Sequence, residues 1–143
     1  MERFWKYAPW FTRLMLVPPT IIFALVASRH IFRPVASAAE VGIAFSSPLG
    51  VTISRVGLGG FPLACSLFTL SCLVSRRRIA TGLAFVATLV SVVLAVRVFG
   101  MVMDGTVHES MRLVRAEVIL LAVFVIGLFV DSAQRRRELR PAV

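Results

Sequence analysis

Apolar positions gather into four near-continuous runs, at residues 14–32, 51–74, 79–100 and 113–130, with polar residues concentrated in the gaps. A helix needs about 20 apolar residues to cross ~30 Å of hydrocarbon. Where no water can pair with the backbone, each segment has to satisfy its own N–H and C=O groups, so the runs predict helices. No segment alternates apolar with polar residues in the manner of a barrel strand. The pattern therefore predicts an all-α protein, an integral membrane four-helix bundle forming one domain over residues 1–143.

The gaps define the connections. Residues 33–50 hold Pro34, Pro48, several Ser and Ala, and Glu40, which predicts an outer loop with a short surface helix near residues 36–43. Residues 76–78 form a tight inner turn. Residues 101–112 form a polar outer loop, in which Asp104-Gly105 signals a turn. Residues 131–143 read as a basic cytoplasmic tail. In the first helix Pro18-Pro19 removes two backbone donors and predicts a kink. Trp5, Tyr7 and Trp10 read as an interfacial aromatic belt.

Composition agrees with the pattern. Of 143 residues 58% are hydrophobic, and the mean hydropathy is +0.88. The net charge of +9 would suit nucleic acid if it were spread over one face, but its distribution excludes that reading. Arg3, Lys6 and Arg13 precede the first run; Arg76, Arg77 and Arg78 separate the second and third; Arg135, Arg136, Arg137 and Arg140 follow the fourth. With alternating helices these ten of the sixteen basic residues share one side, the positive-inside arrangement with both termini in the cytoplasm, N-in and C-in. Charge and length between the first run and Ala36-Ser37-Ala38 argue against a cleaved signal sequence.

The remaining charges lie at one end of the later runs. Arg55 opens the second helix, Arg97 closes the third, and Arg115 and Glu117 open the fourth, with Asp104 in the loop above. Alternation brings all five to a similar depth near the outer face. Ionisable groups are costly in a membrane and tend to mark pairs or sites, and an arginine can hold a carboxylate through two parallel hydrogen bonds. Arg55, Arg97, Asp104, Arg115 and Glu117 thus form a candidate polar cluster, either a structural staple or an outward-facing binding site. Within it, Arg97 ends the third helix and Glu117 begins the fourth, across one short loop. On the second helix Gly57, Gly59 and Gly60 suit close helix approach, and Gly59, Ser66 and Thr69 share a stripe with Arg55.

Other chemistry is sparse. Cys65 and Cys72 are two helical turns apart, about 10.5 Å along the axis, too far for a disulfide. His30 and His108 both fall on the outer side, where two surface histidines are a more ordinary reading than a haem pair. No metal motif, phosphate loop or nucleophile triad is present, and no cofactor is indicated. The four short helices suggest a multidrug transporter, but the first helix lacks the embedded Glu such transporters use.

The motifs Arg55-Val-Gly57-Leu-Gly59-Gly60, Arg97-x-x-Gly100, Asp104-Gly105 and Glu117-Val-Ile-Leu, in that order and spacing, resemble those of a family of uncharacterised bacterial four-helix membrane proteins, a domain of unknown function with a DoxX-like layout. The likeness covers residues 51–129 and reaches the first helix by hydropathy alone. The family's aromatic residue before the Gly-Gly pair is Leu58 here. The resemblance implies a fold and a location in the bacterial cytoplasmic (inner) membrane, and no activity. The function expected is that of a small multi-pass protein, non-enzymatic, acting as an accessory subunit or a small-ligand or lipid binder. The alternatives are a quinone-linked oxidoreductase component, suggested by the DoxX-like layout, and a small proton-coupled transporter. The expected partners are the lipid bilayer and a membrane-protein partner or a second copy of the chain.

Overall fold

The computed structural model describes the backbone of residues 2–138 and the side chains of residues 10–136 other than 109. Trp5, Tyr7, Arg3, Lys6, Arg137 and Arg140 lie outside the described side chains, and the end of the expected tail, residues 139–143, lies outside the described residues. Among the described residues all regular structure is helical. Four stretches are long and apolar enough to cross a membrane: Trp10–Phe32, Pro48–Val74, Arg76–Asp104 and Ser110–Arg136.

The first helix, α1, covers Glu2–Phe32 and continues through Pro18-Pro19. It stops where Pro34 forces Arg33 out of the helical region (φ −133°, ψ 56°), the restriction a proline places on its predecessor. A short helix, α2 (Pro34–Ala39), follows. It closes with Ile43 N–H donating to Ala38 O and Gly42 N–H to Ala39 O, while Gly42 takes φ +77°, the glycine-dependent Schellman ending.

The second long helix is composite. Ser47 caps α3 (Pro48–Ser54), its hydroxyl accepting from Gly50 N–H, and Pro48 occupies the first turn, where a missing donor costs nothing. A π-helical segment, Arg55–Gly60, comes next, then α4 (Phe61–Val74). Pro62 cannot donate to Leu58 O as an α-helix requires, and the three glycines of this segment offer little resistance to widening. Phe61 N–H donates instead to Val56 O, the i→i−5 bond of a π turn.

A single turn of 3₁₀-helix at Arg76–Arg78 leads into α5 (Ile79–Asp104), which ends on Gly105 in the left-handed region at φ +68°. The last helix, α6, runs over Val107–Glu138. Both exceed their apolar runs. The polar loop expected at 101–112 is largely helical, and the first part of the expected tail continues α6. Hydropathy marks where apolar side chains stop; i→i−4 bonding continues until Gly105 or another breaker intervenes. At 1.5 Å per residue α6 is about 48 Å long, well beyond a hydrocarbon core of ~30 Å.

Helix α1 packs along α4 and also touches α5 and α6, while α5 and α6 form an antiparallel hairpin. Leu16, Cys72, Ile79, Leu83, Val86, Ala87, Val90 and Phe124 make the core. Close approach depends on missing side chains. A Cβ on Gly59 would lie 2.7 Å from Ile31 Cγ1, and one on Gly82 2.8 Å from Cys72 Cβ. A buried hydroxyl network also joins α1 to α4. Thr20 Oγ1 donates to Leu16 O (2.7 Å) and lies 2.9 Å from Thr69 Oγ1, and Ser66 Oγ donates to Thr20 O (3.0 Å). Cys65 and Cys72 are buried free thiols.

Candidate functional site: an arginine–glutamate pair at the edge of an apolar cavity

Arg97 on α5 and Glu117 on α6 face each other across the hairpin. Arg97 Nε donates to Glu117 Oε1 at 2.8 Å and Oε2 at 2.9 Å, and its Nη2 stands 2.7 Å from Oε1. Only 30% of the arginine side chain and 17% of the glutamate side chain are exposed. A charge-assisted contact of this kind is strong and directional.

The other members of the expected cluster do not join the pair. Arg115 precedes Glu117 by two residues, about 200° around the helix, and is exposed. Asp104 lies seven residues beyond Arg97, about 10.5 Å further along the axis, and is also exposed. Arg55 begins the π-helical segment. The extra residue in that turn takes Arg55 off the stripe that Gly59, Ser66 and Thr69 share, so those three are buried and Arg55 is exposed. It lines a separate, shallow cavity with Phe45, Ser46 and Thr52. Arg55, Asp104 and Arg115 have no ion-pair partner among the described residues. For Arg55 and Arg115 a similar depth did not mean a shared direction, and Asp104 does not share the depth. The same applies to the glycines: Gly59 is in contact, nothing lies within 4 Å of a Cβ on Gly57, and one on Gly60 would reach only Arg55 O at 4.0 Å.

Beside the Arg97–Glu117 pair is a cavity of about 200 Å³. Pro19, Ile22 and Phe23 of α1 form one wall and Val86, Val90 and Val93 of α5 another; Glu117 and Leu120 supply the α6 side. Val86, Val90 and Val93 lead along one stripe of α5 towards Arg97, with the 3- and 4-residue spacing of a helix face. Among the described residues Glu117 is the only ionisable group lining this space. Its charge is already balanced by Arg97, and carboxylate lone pairs remain to accept a further hydrogen bond.

The sequence reading missed a second polar cluster at the opposite end. Asp131 is 8% exposed, and Arg135 Nε donates to its Oδ2 at 2.7 Å. Arg135 Nη2 also donates to Arg77 O at 3.1 Å. Glu117, Leu121, Phe124, Leu128 and Asp131 follow one inward stripe of α6, so each end of that stripe carries an acid held by an arginine. The signal was available in that 3- and 4-residue spacing past Val130, where the apolar run ends.

No family model, no curated protein and no solved structure matches this chain.

Proposed function

We propose that this chain is a multi-pass protein of the bacterial cytoplasmic membrane, with both termini inside, and that it binds an apolar molecule carrying a hydroxyl group. The compartment follows from the likeness of residues 51–129 to the DoxX-like layout. The reading of orientation rests on charge: Arg77 in the α4–α5 turn and Arg135 near the end of α6 line one cavity with Thr12 of α1, so two basic clusters meet at one end of the bundle, as expected of a cytoplasmic face. Large apolar side chains such as Ile119, Ile126 and Phe129 are exposed along α6, a surface suited to lipid.

The observation that carries the binding reading is the apolar cavity with Glu117 as the one ionisable lining residue among those described. Apolar walls with a single well-placed polar group are the usual makeup of a small-molecule site. A volume of about 200 Å³ is below the ~300–1,000 Å³ of sites that enclose a drug-sized ligand, so it suits the hydroxyl-bearing end of a lipid or isoprenoid whose remainder lies in the bilayer. A carboxylate neutralised by Arg97 accepts an O–H without gaining an uncompensated charge.

Native mass spectrometry from gently solubilised membranes tests this. The wild-type protein should retain a hydroxylated apolar molecule, and Val93→Trp, which fills the cavity, should lose it while keeping its thermal stability. A wild-type protein without such an adduct, or a Val93→Trp variant that keeps it, overturns the reading.

A further inference from the structure

The basic end of the bundle encloses a cavity of about 310 Å³ lined by Thr12, Arg76, Arg77, Asp131, Gln134 and Arg135 together with Ile79. Three elements build it: α1 at Thr12, three turns in, the turn into α5 and the last turns of α6. Among the described residues its lining carries three arginines, one of them (Arg76) with an interaction of its own, and one carboxylate. That carboxylate is engaged by Arg135 at 2.7 Å, and the guanidinium of Arg135 is held a second time by Arg77 O at 3.1 Å. Arg135 is thereby fixed in place with the rest of its N–H fork still available. The guanidinium of Arg77 has no partner among the described residues. An acid that orients one arginine beside a second, uncommitted arginine makes a receptor for an anion with several acceptor oxygens. A simple staple would have needed one arginine.

We propose that this cavity binds the phosphate group of an anionic phospholipid, with Arg77 and Arg135 as the contacting residues and Asp131 as a positioning residue for Arg135. Arginine forks match phosphate oxygens, and basic pockets between helices at a cytoplasmic face are where such headgroups are held. This site is separate from the Glu117 cavity. It rests on the membrane reading only for the source of the phosphate, so either site can fail without the other.

The experiment is titration of the detergent-solubilised full chain with phosphatidylglycerol or with phosphatidylcholine, counting bound lipid by native mass spectrometry. Arg77→Gln, Arg77→Lys and Arg112→Gln are compared with wild type. Arg112→Gln removes the same charge from the other end of the bundle. Wild type and Arg112→Gln should bind one phosphatidylglycerol in preference to phosphatidylcholine. Arg77→Gln should weaken that binding about tenfold, the loss of one charge-assisted contact, and Arg77→Lys by less. Inorganic phosphate is the second probe. Competition by it at millimolar concentration supports a site that reads phosphate itself and makes soluble phosphate the rival source; absence of competition with selective lipid binding makes the lipid the source. Equal losses in Arg77→Gln and Arg112→Gln, or equal binding of the two lipids, would show diffuse attraction to a basic protein and overturn the proposal.

Discussion

Arg97 and Glu117 are joined by three contacts of 2.7–2.9 Å across a hairpin whose helices are separated only by Gly105 and Thr106. The short connection fixes the relative height of α5 and α6, and the pair then fixes how they are rotated against each other. An ionic contact this well formed stabilises weakly relative to a packed apolar pair, but removing one partner leaves the other charge desolvated. For fully buried pairs that loss is ~3–5 kcal/mol. Both side chains here keep some exposure, which reduces it, and about 1–3 kcal/mol is expected. Arg97→Met and Glu117→Gln should each lower thermal stability in detergent, and the double mutant should recover part of the loss. A parallel cycle between Arg55 and Glu117 should be additive within about 0.5 kcal/mol, as for groups that do not touch. Additivity in the Arg97–Glu117 cycle would mean that the contact contributes nothing.

Two glycines two residues apart should respond in opposite directions to the same substitution. A Cβ at Gly59 would lie 2.7 Å from Ile31 Cγ1 and 3.3 Å from Ile31 N, and the backbone atom cannot swing aside. Gly59→Ala should destabilise by about 1–3 kcal/mol, the usual range for overpacking. Nothing lies within 4 Å at Gly57, so Gly57→Ala should be neutral or stabilising by up to about 1 kcal/mol through lower unfolded-chain entropy. Melting temperatures of the two variants in one detergent decide this. Equal destabilisation would place Gly57 in a packed interface.

How far the chain could be read from its sequence depended on what each signal reports. Hydropathy located four helices long and apolar enough to cross a membrane, because an apolar run of that length has few other uses. It misplaced their ends, since helical bonding in α5 and α6 continues through polar residues until Gly105. The Arg97–Glu117 pair was legible because a short loop between antiparallel helices restricts depth and direction together. Arg115 matched only in depth, and Asp104, two turns beyond Arg97, only in direction. Arg55 was lost to the π turn, which shifts the helical phase by a residue and leaves no mark in hydropathy. Asp131 and Arg135 fall just past an apolar run, where hydropathy alone predicts the start of a tail. Thr20 and Thr69 sit inside runs where a hydroxyl reads as a small neutral residue, and nothing in the chain shows that they meet.

The hydroxyl network between α1 and α4 should contribute measurably but modestly. Thr69 is fully buried, and its Oγ1 lies 3.0 Å from Cys65 O, 3.0 Å from Ser66 O and 2.9 Å from Thr20 Oγ1. Interhelical hydrogen bonds in membrane proteins average ~0.6 kcal/mol, with a maximum near ~1.7. Thr69→Val keeps the side-chain shape and removes the hydroxyl, so about 0.6–1.7 kcal/mol should be lost in an unfolding titration. Thr81→Val, at an exposed position of α5, should lose less than a third of that. If both cost the same, the effect belongs to helix propensity and the network is incidental.

Topology can be tested without any assumption about ligands. Arg76, Arg77 and Arg78 occupy the turn between α4 and α5, and the last turns of α6 carry Arg135 and Arg136 at the same end of the bundle. The opposite connection, at Gly105 and Thr106, is flanked by Asp104 and His108 and lacks a comparable cluster. Basic residues close to span ends resist translocation. Reporter fusions after residue 143 and at Ser75 should therefore both read as cytoplasmic, and one at Gly105 as periplasmic. Replacing Arg76, Arg77 and Arg78 with Gln should weaken the preference of the inner turn, while the cluster after α6 keeps the majority orientation. A periplasmic signal from residue 143 in the wild type would reverse the bundle. It would move the Arg77–Arg135 cavity to the outer leaflet and the Glu117 cavity to the inner one.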